Sequence, residues 1–246
     1  MINLKNEVDI EGIRNAGAIV RKVLNELSSI TKPGIATLEY NNICEEITFL
    51  MHATPAFKGY NGFPYSVCIS VNEEVVHGFP SKRRLREGDI VSIDFGSYYK
   101  DYYADAAVTV AVGNVSSKAL KLMETAKEAL SLGISEAVIG NKLSNISRAI
   151  EEYVVKNNFS VVRDFVGHGV GFKLHEDPQV PNYYIKDNDI LLDEGLVIAI
   201  EPMVNEFGYK VKVRKNGWTV VTRDKGLSAH FEHTVAITKE GPQILT

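Results

Sequence analysis

An acidic residue ends each of two similar stretches of this sequence. Residues 87–94 (Glu-Gly-Asp-Ile-Val-Ser-Ile-Asp) align without gaps on residues 194–201 (Glu-Gly-Leu-Val-Ile-Ala-Ile-Glu), so that Asp94 falls on Glu201. Both stretches are apolar before the acid, and a carboxylate that ends so apolar a run needs a partner or a metal ion. These two residues are therefore candidate metal ligands.

A second, weaker alignment adds another pair of acids. Residues 105–110 (Asp-Ala-Ala-Val-Thr-Val) align on residues 232–237 (Glu-His-Thr-Val-Ala-Ile), which places Asp105 on Glu232. Chance similarity is the alternative, because β-strands share valine and isoleucine everywhere. Acids that fall on acids in both alignments favour an internal duplication. A pseudo-twofold axis between the two copies would bring all four carboxylates to one place.

The segment between the first two acids predicts a β-hairpin. Residues 96–101 (Gly-Ser-Tyr-Tyr-Lys-Asp) read as its turn, and a turn centred between Tyr99 and Lys100 would make Asp94 and Asp105 direct cross-strand partners. The Cβ atoms of such a pair lie about 4.5–5.5 Å apart. Two carboxylates at that distance repel each other, and a pair of divalent cations roughly 3.5–4 Å apart would remove the repulsion.

Three histidines have contexts that suit a crowded site. His168 stands between glycines in residues 167–171 (Gly-His-Gly-Val-Gly), His175 follows seven residues later, and His77 precedes Gly78. Glycine permits close backbone approach. One neutral imidazole with four carboxylates suits Mn, Fe, Co or Zn rather than Ca or Mg. Weaker contexts surround the remaining three histidines, which are His52, His230 and His233.

The distribution of apolar and β-branched residues along the chain predicts two helices followed by strands, and then two further helices followed by strands. Apolar residues recur at spacings of three and four from Ile13 to Ile30, before Pro33 and Gly34 end the first helix. Thr37 is a candidate cap for the second helix. Runs rich in β-branched residues predict strands at residues 67–71, 90–93 and 106–110. A third helix is predicted from Ser116 or Ser117, and a fourth after Asn141. From Ser160 onward the sequence predicts mainly strands and loops.

Composition narrows the class of protein. The 246 residues are 45% apolar and 24% charged, with a net charge of −4, which argues against non-specific nucleic-acid binding. No apolar run approaches the roughly 18 residues that span a bilayer, and the N-terminus has no signal-peptide pattern. The two cysteines, Cys44 and Cys68, form no CxxC pair. We therefore expect a soluble, cytoplasmic monomer without membrane contact.

The motifs together resemble those of the pita-bread metallopeptidases, and within them the type I methionine aminopeptidases. Each motif is weak alone, but they run in order across nearly the whole chain. The matching segments are residues 62–72, 76–80, 88–94, 167–171, 175–178, 199–202 and 228–234.

The resemblance implies an α+β pita-bread fold, with two pseudo-twofold-related halves around a curved, mainly antiparallel sheet. It implies a single catalytic domain over residues 1–246, built from halves of about 1–114 and 115–246. It also implies two divalent ions, Co, Mn, Fe or Zn, with Asp105 and Glu232 bridging both. The implied metal ligands are Asp94, Asp105, His168, Glu201 and Glu232.

The resemblance further implies an activity, the removal of an initiator methionine that precedes a small second residue of a nascent polypeptide. The ions would share a hydroxide nucleophile. Glu201 is the candidate general base, His175 would stabilise the oxyanion, and His77 would face the substrate. Contact with the ribosome stays open. The residues implied around the methionine pocket are Phe57, Tyr60, Phe63, Cys68 and Trp218.

Three residues depart from the family pattern. Leu174 stands where some members have an aromatic residue, His230 where glutamine is usual, and Phe57 where a small residue or cysteine is frequent. These departures concern the shape of the pocket.

Two other functions stay open as alternatives. A proline-directed peptidase of the same fold would carry an additional N-terminal domain, and here the first helix begins within about a dozen residues of Met1. A non-catalytic binding protein on this scaffold would be expected to lose metal ligands, and all five are present.

Overall fold

Helix pairs and runs of strands alternate along the chain in the computed structural model, which describes residues 2–186 and 190–246. The helices are α1 (Glu7–Ser29), α2 (Thr37–Leu50), α3 (Ser117–Ser135) and α4 (Leu143–Lys156). The first strands are β1 (Thr54–Pro55), β2 (Cys68–Val71), β3 (Glu74–Val76), β4 (Ile90–Tyr99) and β5 (Tyr102–Ala111). The later strands are β6 (Ser160–Val161), β7 (Gly167–Gly169), β8 (Glu176–Val180), β9 (Val197–Ile200), β10 (Met203–Asn205), β11 (Val211–Val213), β12 (Val220–Thr222), β13 (Ser228–His230), β14 (Glu232–Thr238) and β15 (Gly241–Ile244).

Local capping by a side chain explains where the first helix begins. The Asn6 side chain accepts hydrogen bonds from the backbone N–H groups of Val8 and Asp9, which start α1. The cap predicted for α2 was wrong by one residue. Ala36 is the N-cap, and Thr37 is the first helical residue. The Thr37 hydroxyl accepts a hydrogen bond from the Ser81 N–H at 2.9 Å, so it fixes a neighbouring loop instead of capping the helix.

A nine-stranded sheet forms the centre of the molecule. Its strand order is β1-β4-β5-β14-β9-β7-β8, with β2 also paired to β4 and β15 to β14, and its pairings are antiparallel. The sheet is curled, and the fold class is α+β, as the sequence predicted. The helices of the described residues are too short or too polar to cross a membrane.

Each helix pair packs on its own part of this sheet. Side chains of α1 and α2 such as Leu27 and Tyr40 share one buried cluster with Ile93 and Phe95 of β4. Side chains of α3 and α4, such as Leu122 and Ile146, share the other cluster with β9 and β14. Each fully buried side chain of this size contributes roughly 1.5–3 kcal/mol. The helices thus cover one face of the sheet and leave the other face for the acids.

The central strand pair shows the symmetry that the sequence alignment predicted. In the antiparallel pairing of β5 with β14, Ala106 lies opposite His233 and Ala107 lies opposite Glu232. Ala106 and His233 are equivalent in the alignment, so the pseudo-twofold axis passes between them. Asp105 and Glu232 then flank the axis at equal distances along their strands.

The predicted hairpin register was wrong by two residues. Asp94 lies opposite Ala107, and Asp105 lies opposite Gly96. The turn is centred between Lys100 and Asp101, whose φ angles are 47° and 72°. A two-residue hairpin turn with positive φ at both central positions matches the twist of the strands. Asp94 and Asp105 are therefore diagonal neighbours, and they still share a face because side chains alternate with a period of two.

Candidate metal centre and substrate cleft

Neighbouring strands of the central sheet each bring one candidate ligand to the same face. Across the sheet the order is Asp94 on β4, Asp105 on β5, Glu232 at the start of β14, Glu201 directly after β9 and His168 on β7. These five residues line one cavity and are called the floor below. Residues far apart in sequence become neighbours because the strands pair in this order.

The His168 imidazole faces two of the carboxylates. Its Nε2 atom lies 3.4 Å from Asp105 Oδ2 and 3.7 Å from Glu201 Oε1. Its Nδ1 atom lies 2.9 Å from the carbonyl oxygen of Gly169. Donation from Nδ1 to that carbonyl leaves the Nε2 lone pair free to bind a metal ion.

The glycines beside His168 are required by close backbone contacts. A Cβ atom on Gly167 would overlap the carbonyl oxygen of Ala199, and one on Gly169 would overlap that of Asp177. Both neighbouring strands therefore approach closer than a side chain would allow. This packing holds the imidazole against the centre of the floor.

Thr234 orients Asp105. Its hydroxyl oxygen lies 2.8 Å from the Asp105 carbonyl oxygen and 3.1 Å from Oδ1, and it accepts a hydrogen bond from the Asp105 backbone N–H at 3.1 Å. Such a contact fixes the direction of a carboxylate that could otherwise rotate. Thr234 lies two residues after Glu232, on the same face of the strand.

The four carboxyl groups disfavour one another's negative charge. Burial, with contributions from neighbouring carboxylates, raises the pKa of Asp94 and of Glu201 to about 8. Burial also raises the pKa of Asp105 and, together with the other three acids, that of Glu232. Divalent cations would offset this accumulation of charge.

The donor atoms also have the spacing that a metal site needs. Ligand atoms of Asp105, His168 and Glu232 all lie within 4.8 Å of one another. Carboxylate oxygens with an imidazole nitrogen are a common donor set for divalent transition metals. The residues present therefore fit a divalent metal centre.

Aromatic and histidine side chains line the cavity beside the floor and are called the aromatic wall. We use the term for Phe57, Tyr60, Phe63, His77, His175 and Trp218, which line the same cavity of about 340 Å³. Phe63 contacts Trp218 edge to face with ring centroids 5.1 Å apart, and Tyr60 stacks on His175 at the same centroid distance. Cys68 lies opposite Asp94 in the β2–β4 pairing, at the junction of wall and floor.

Both histidines of the wall are neutral at pH 7. Burial lowers the pKa of His77 to about 4. The pKa of His175 is also lowered, by burial of its ring against the cleft and by the imidazoles of His168 and His77, although its side chain is partly open to solvent at the cleft mouth. His77 has a φ angle of 57°, a left-handed backbone conformation that non-glycine residues adopt rarely.

Some residues of the cleft were not singled out from the sequence. Val76, the residue before His77, and Asp164, Phe165 and Val166, which precede the Gly-His-Gly segment, line the cavity with Asn61. Only their nearness in sequence to candidate residues could have indicated that they line the cleft. Leu174, noted as a departure from the family pattern, also lines the cavity.

His230 belongs to the site despite its weak sequence context. It is 2% exposed, and its Nε2 atom lies 3.6 Å from Glu201 Oε2. Its position two residues before Glu232 could have indicated this role, because side chains two residues apart in an extended chain lie on the same face. His233, by contrast, faces away, and its Nδ1 atom lies 2.9 Å from the Thr246 hydroxyl.

Known proteins resemble this chain over nearly its whole length. The model of Metallopeptidase family M24 matches residues 11–239. A methionine aminopeptidase from Clostridium perfringens is 52% identical over 246 residues, covering 100% of this chain and 99% of the relative. The crystal structure of a methionine aminopeptidase from Thermotoga maritima superposes with a TM-score of 0.98 at 44% identity, covering 100% of this chain and 99% of the other.

A more distant structure shares the same architecture. The prolidase from Pyrococcus horikoshii has a TM-score of 0.80 at 26% identity, covering 99% of this chain but only 63% of the prolidase. These similarities confirm the pita-bread fold that the motifs implied. The family match, the identity over the full chain and the agreement in fold lead to one assignment: the chain belongs to metallopeptidase family M24.

Proposed function

We propose that this protein removes the N-terminal methionine from polypeptides whose second residue is small, using two divalent metal ions. The observation that carries the proposal is the junction of the floor with the aromatic wall in a cavity of about 340 Å³. The relatives named methionine aminopeptidase, matched over nearly their full length, support the substrate.

The floor would hold the ions through Asp94, Asp105, His168, Glu201 and Glu232, with Asp105 and Glu232 shared between them. The two central positions flank the pseudo-twofold axis, which suits ligands that face both ions. Bound divalent ions lower the pKa of water and polarise a carbonyl group. Co, Mn, Fe or Zn are the proposed ions because the donor set includes imidazole.

Glu201 is the proposed proton acceptor. Its carboxylate lines the cavity between the imidazoles of His168 and His230, where it can accept the proton of an attacking water molecule. The Asn182 amide donates a hydrogen bond to the Glu201 carbonyl oxygen at 3.0 Å and so fixes the backbone behind the carboxylate.

The two histidines of the wall have different proposed roles. The His175 ring lies 4.1 Å from the His168 ring, next to the floor, so it can donate a hydrogen bond to the scissile carbonyl oxygen as negative charge develops there. His77 contacts Trp218 and Phe165 and would position the peptide. A neutral imidazole suits both tasks, since a cation would disfavour metal ions nearby.

The aromatic wall is the proposed methionine pocket. Phe57, Tyr60, Phe63 and Trp218 present ring faces and edges, and Cys68 adds a small apolar side chain. A thioether makes favourable contacts with aromatic rings and adapts to an irregular pocket. The proposed substrate is the N-terminus of a new polypeptide in the cytoplasm, and the proposed catalytic unit is a monomeric single domain of two related halves.

A peptide series tests the proposal. Protein freed of metal and then reloaded with Mn²⁺ or Co²⁺ is incubated with Met-Ala, Met-Leu and Ala-Pro peptides, and free amino acids are quantified. We expect methionine release from Met-Ala above all. His233→Gln is a matched control, because this histidine lies on the opposite face of β14. Preferential cleavage of Ala-Pro would identify a proline-directed peptidase, and absence of cleavage in a metal-loaded protein would favour a binding protein.

A further inference from the structure

His230 carries a buried nitrogen for which the proposed site gives no role. Within the described residues, its Nε2 atom has no hydrogen-bond partner, although the side chain is only 2% exposed. A buried polar atom without a partner destabilises the folded state. The atom does not point into an apolar region, because Glu201 Oε2 is 3.6 Å away.

Glu201 lies between two imidazoles that it contacts in the same way. Its Oε1 atom is 3.7 Å from His168 Nε2, and its Oε2 atom is 3.6 Å from His230 Nε2. Both distances are longer than an N–H···O hydrogen bond. Two donors that each lie about 2.0–2.2 Å from one ion, at an angle of about 90–120°, are separated by roughly 2.8–3.8 Å, so both pairs have the spacing of ligands that share a metal.

The backbone holds His230 firmly in this place. Its N–H donates to the Thr109 hydroxyl oxygen at 2.9 Å, and that hydroxyl lies 2.8 Å from the His230 carbonyl oxygen. Its strand pairs with β10, where Met203 is its cross-strand partner. The backbone of His230 is therefore fixed beside the floor by contacts at both of its peptide groups.

We infer that His230 is a sixth metal-binding residue, whose Nε2 atom shares an ion with Glu201 Oε2. Each of the two ions then has one imidazole, and Glu201 joins Asp105 and Glu232 as a carboxylate that faces both ions. This inference rests on the proposed metal centre and extends it. It gives the orphaned nitrogen a partner and makes the donor set more selective for transition metals over Mg²⁺ or Ca²⁺.

X-ray absorption at the cobalt edge tests this assignment, because imidazole rings bound to cobalt give a recognisable outer-shell scattering. The full chain is stripped of metal and loaded with Co²⁺ to one and to two equivalents. We expect an average of one imidazole per cobalt at two equivalents in the wild type, and about half of that in His230→Gln. Calorimetric titration should show one of the two Co²⁺ steps weakened about 10- to 100-fold or more in that variant. His233→Gln should match the wild type in both measurements.

A wild-type average of half an imidazole per cobalt at full loading would overturn the inference and would reduce His230 to a neighbour of Glu201. That result needs no variant, so misfolding of His230→Gln cannot hide it. The peptide assay separates this inference from the proposed function. Methionine release with one imidazole per chain would refute the sixth ligand alone. Two imidazoles per chain without methionine release would refute the aminopeptidase activity alone.

Discussion

The floor and the wall of the cleft are built in different ways. Floor residues lie on or next to paired strands of the nine-stranded sheet, and Asp105 and Glu232 are nearly inaccessible at 3% and 2% exposure. Wall residues lie mainly in connecting segments, and His175 and Tyr60 are partly open to solvent. The charge-bearing part is thus held by the sheet, and the part that meets the side chains of a substrate is held by loops.

This difference suggests a division of labour. A cluster of carboxylates must be held within fractions of an ångström to bind ions, and paired strands provide that precision. Loops can change length and sequence without disturbing the sheet, and they commonly carry specificity. We therefore expect changes in the floor to abolish turnover, and changes in the wall to alter rate or preference by smaller factors.

Removal of the metal should have the largest effect. Exhaustive treatment with EDTA should eliminate peptide cleavage, because the ions are proposed to lower the pKa of the attacking water and to polarise the scissile carbonyl group. Mn²⁺, Fe²⁺ or Co²⁺ should restore cleavage better than Mg²⁺ or Ca²⁺, since imidazole is a poor ligand for the latter two. The measurement is the cleavage rate of Met-Ala against added metal. Undiminished activity in metal-free protein would falsify the metal hypothesis.

Neutralising a shared carboxylate should come next. Asp105→Asn or Glu232→Gln should abolish turnover and lower the metal content while far-ultraviolet circular dichroism stays unchanged, because an amide supplies no charge to either ion. Thr234→Val should cost only about 10- to 100-fold, since it removes a contact that orients Asp105. Near-normal metal content and turnover in Asp105→Asn would show that the floor does not bind metal as assigned.

Shortening a histidine of the wall should have an intermediate effect. His175→Ala should lower kcat about 10²- to 10³-fold with a smaller change in KM, because its hydrogen bond forms to charge that develops only in the transition state. His77→Ala should do less harm and act mainly on KM. Steady-state kinetics of both variants on one peptide provide the test. Equal effects confined to KM in the two variants would contradict the different roles.

Variation of the second substrate residue should have the smallest effect. Met-Ala and Met-Gly peptides should be cleaved about ten- to hundred-fold better than Met-Leu and Met-Lys. A long second side chain would displace His77 or His175 and leave polar groups unpaired, at roughly 1–3 kcal/mol each. The value of kcat/KM across a Met-Xaa series measures this. Equal kcat/KM values across the series would indicate a general metalloaminopeptidase. The wall would then not determine which second residue is accepted.

Local pattern was enough to predict which face of a strand a residue occupies. Alternation put Asp94 and Asp105 on one face of the hairpin, and the structure agrees even though the register differs by two residues. A shift of two preserves the face, because the side-chain period is also two. The α1 helix could likewise be predicted from apolar residues at spacings of three and four, and its end from Pro33 and Gly34.

The tertiary structure decided which of these faces meet. The order β4-β5-β14-β9-β7 places Glu232 on the strand next to that of Asp105 and brings all five floor residues to one cavity, and no local pattern states that order. It also decided the role of His230, whose sequence context was weak but whose Nε2 atom lies 3.6 Å from Glu201. Sequence periodicity depends on the few residues around each position. Distances across the cleft depend on strand pairing and on loops whose conformations are selected by packing, and only the folded chain contains that information.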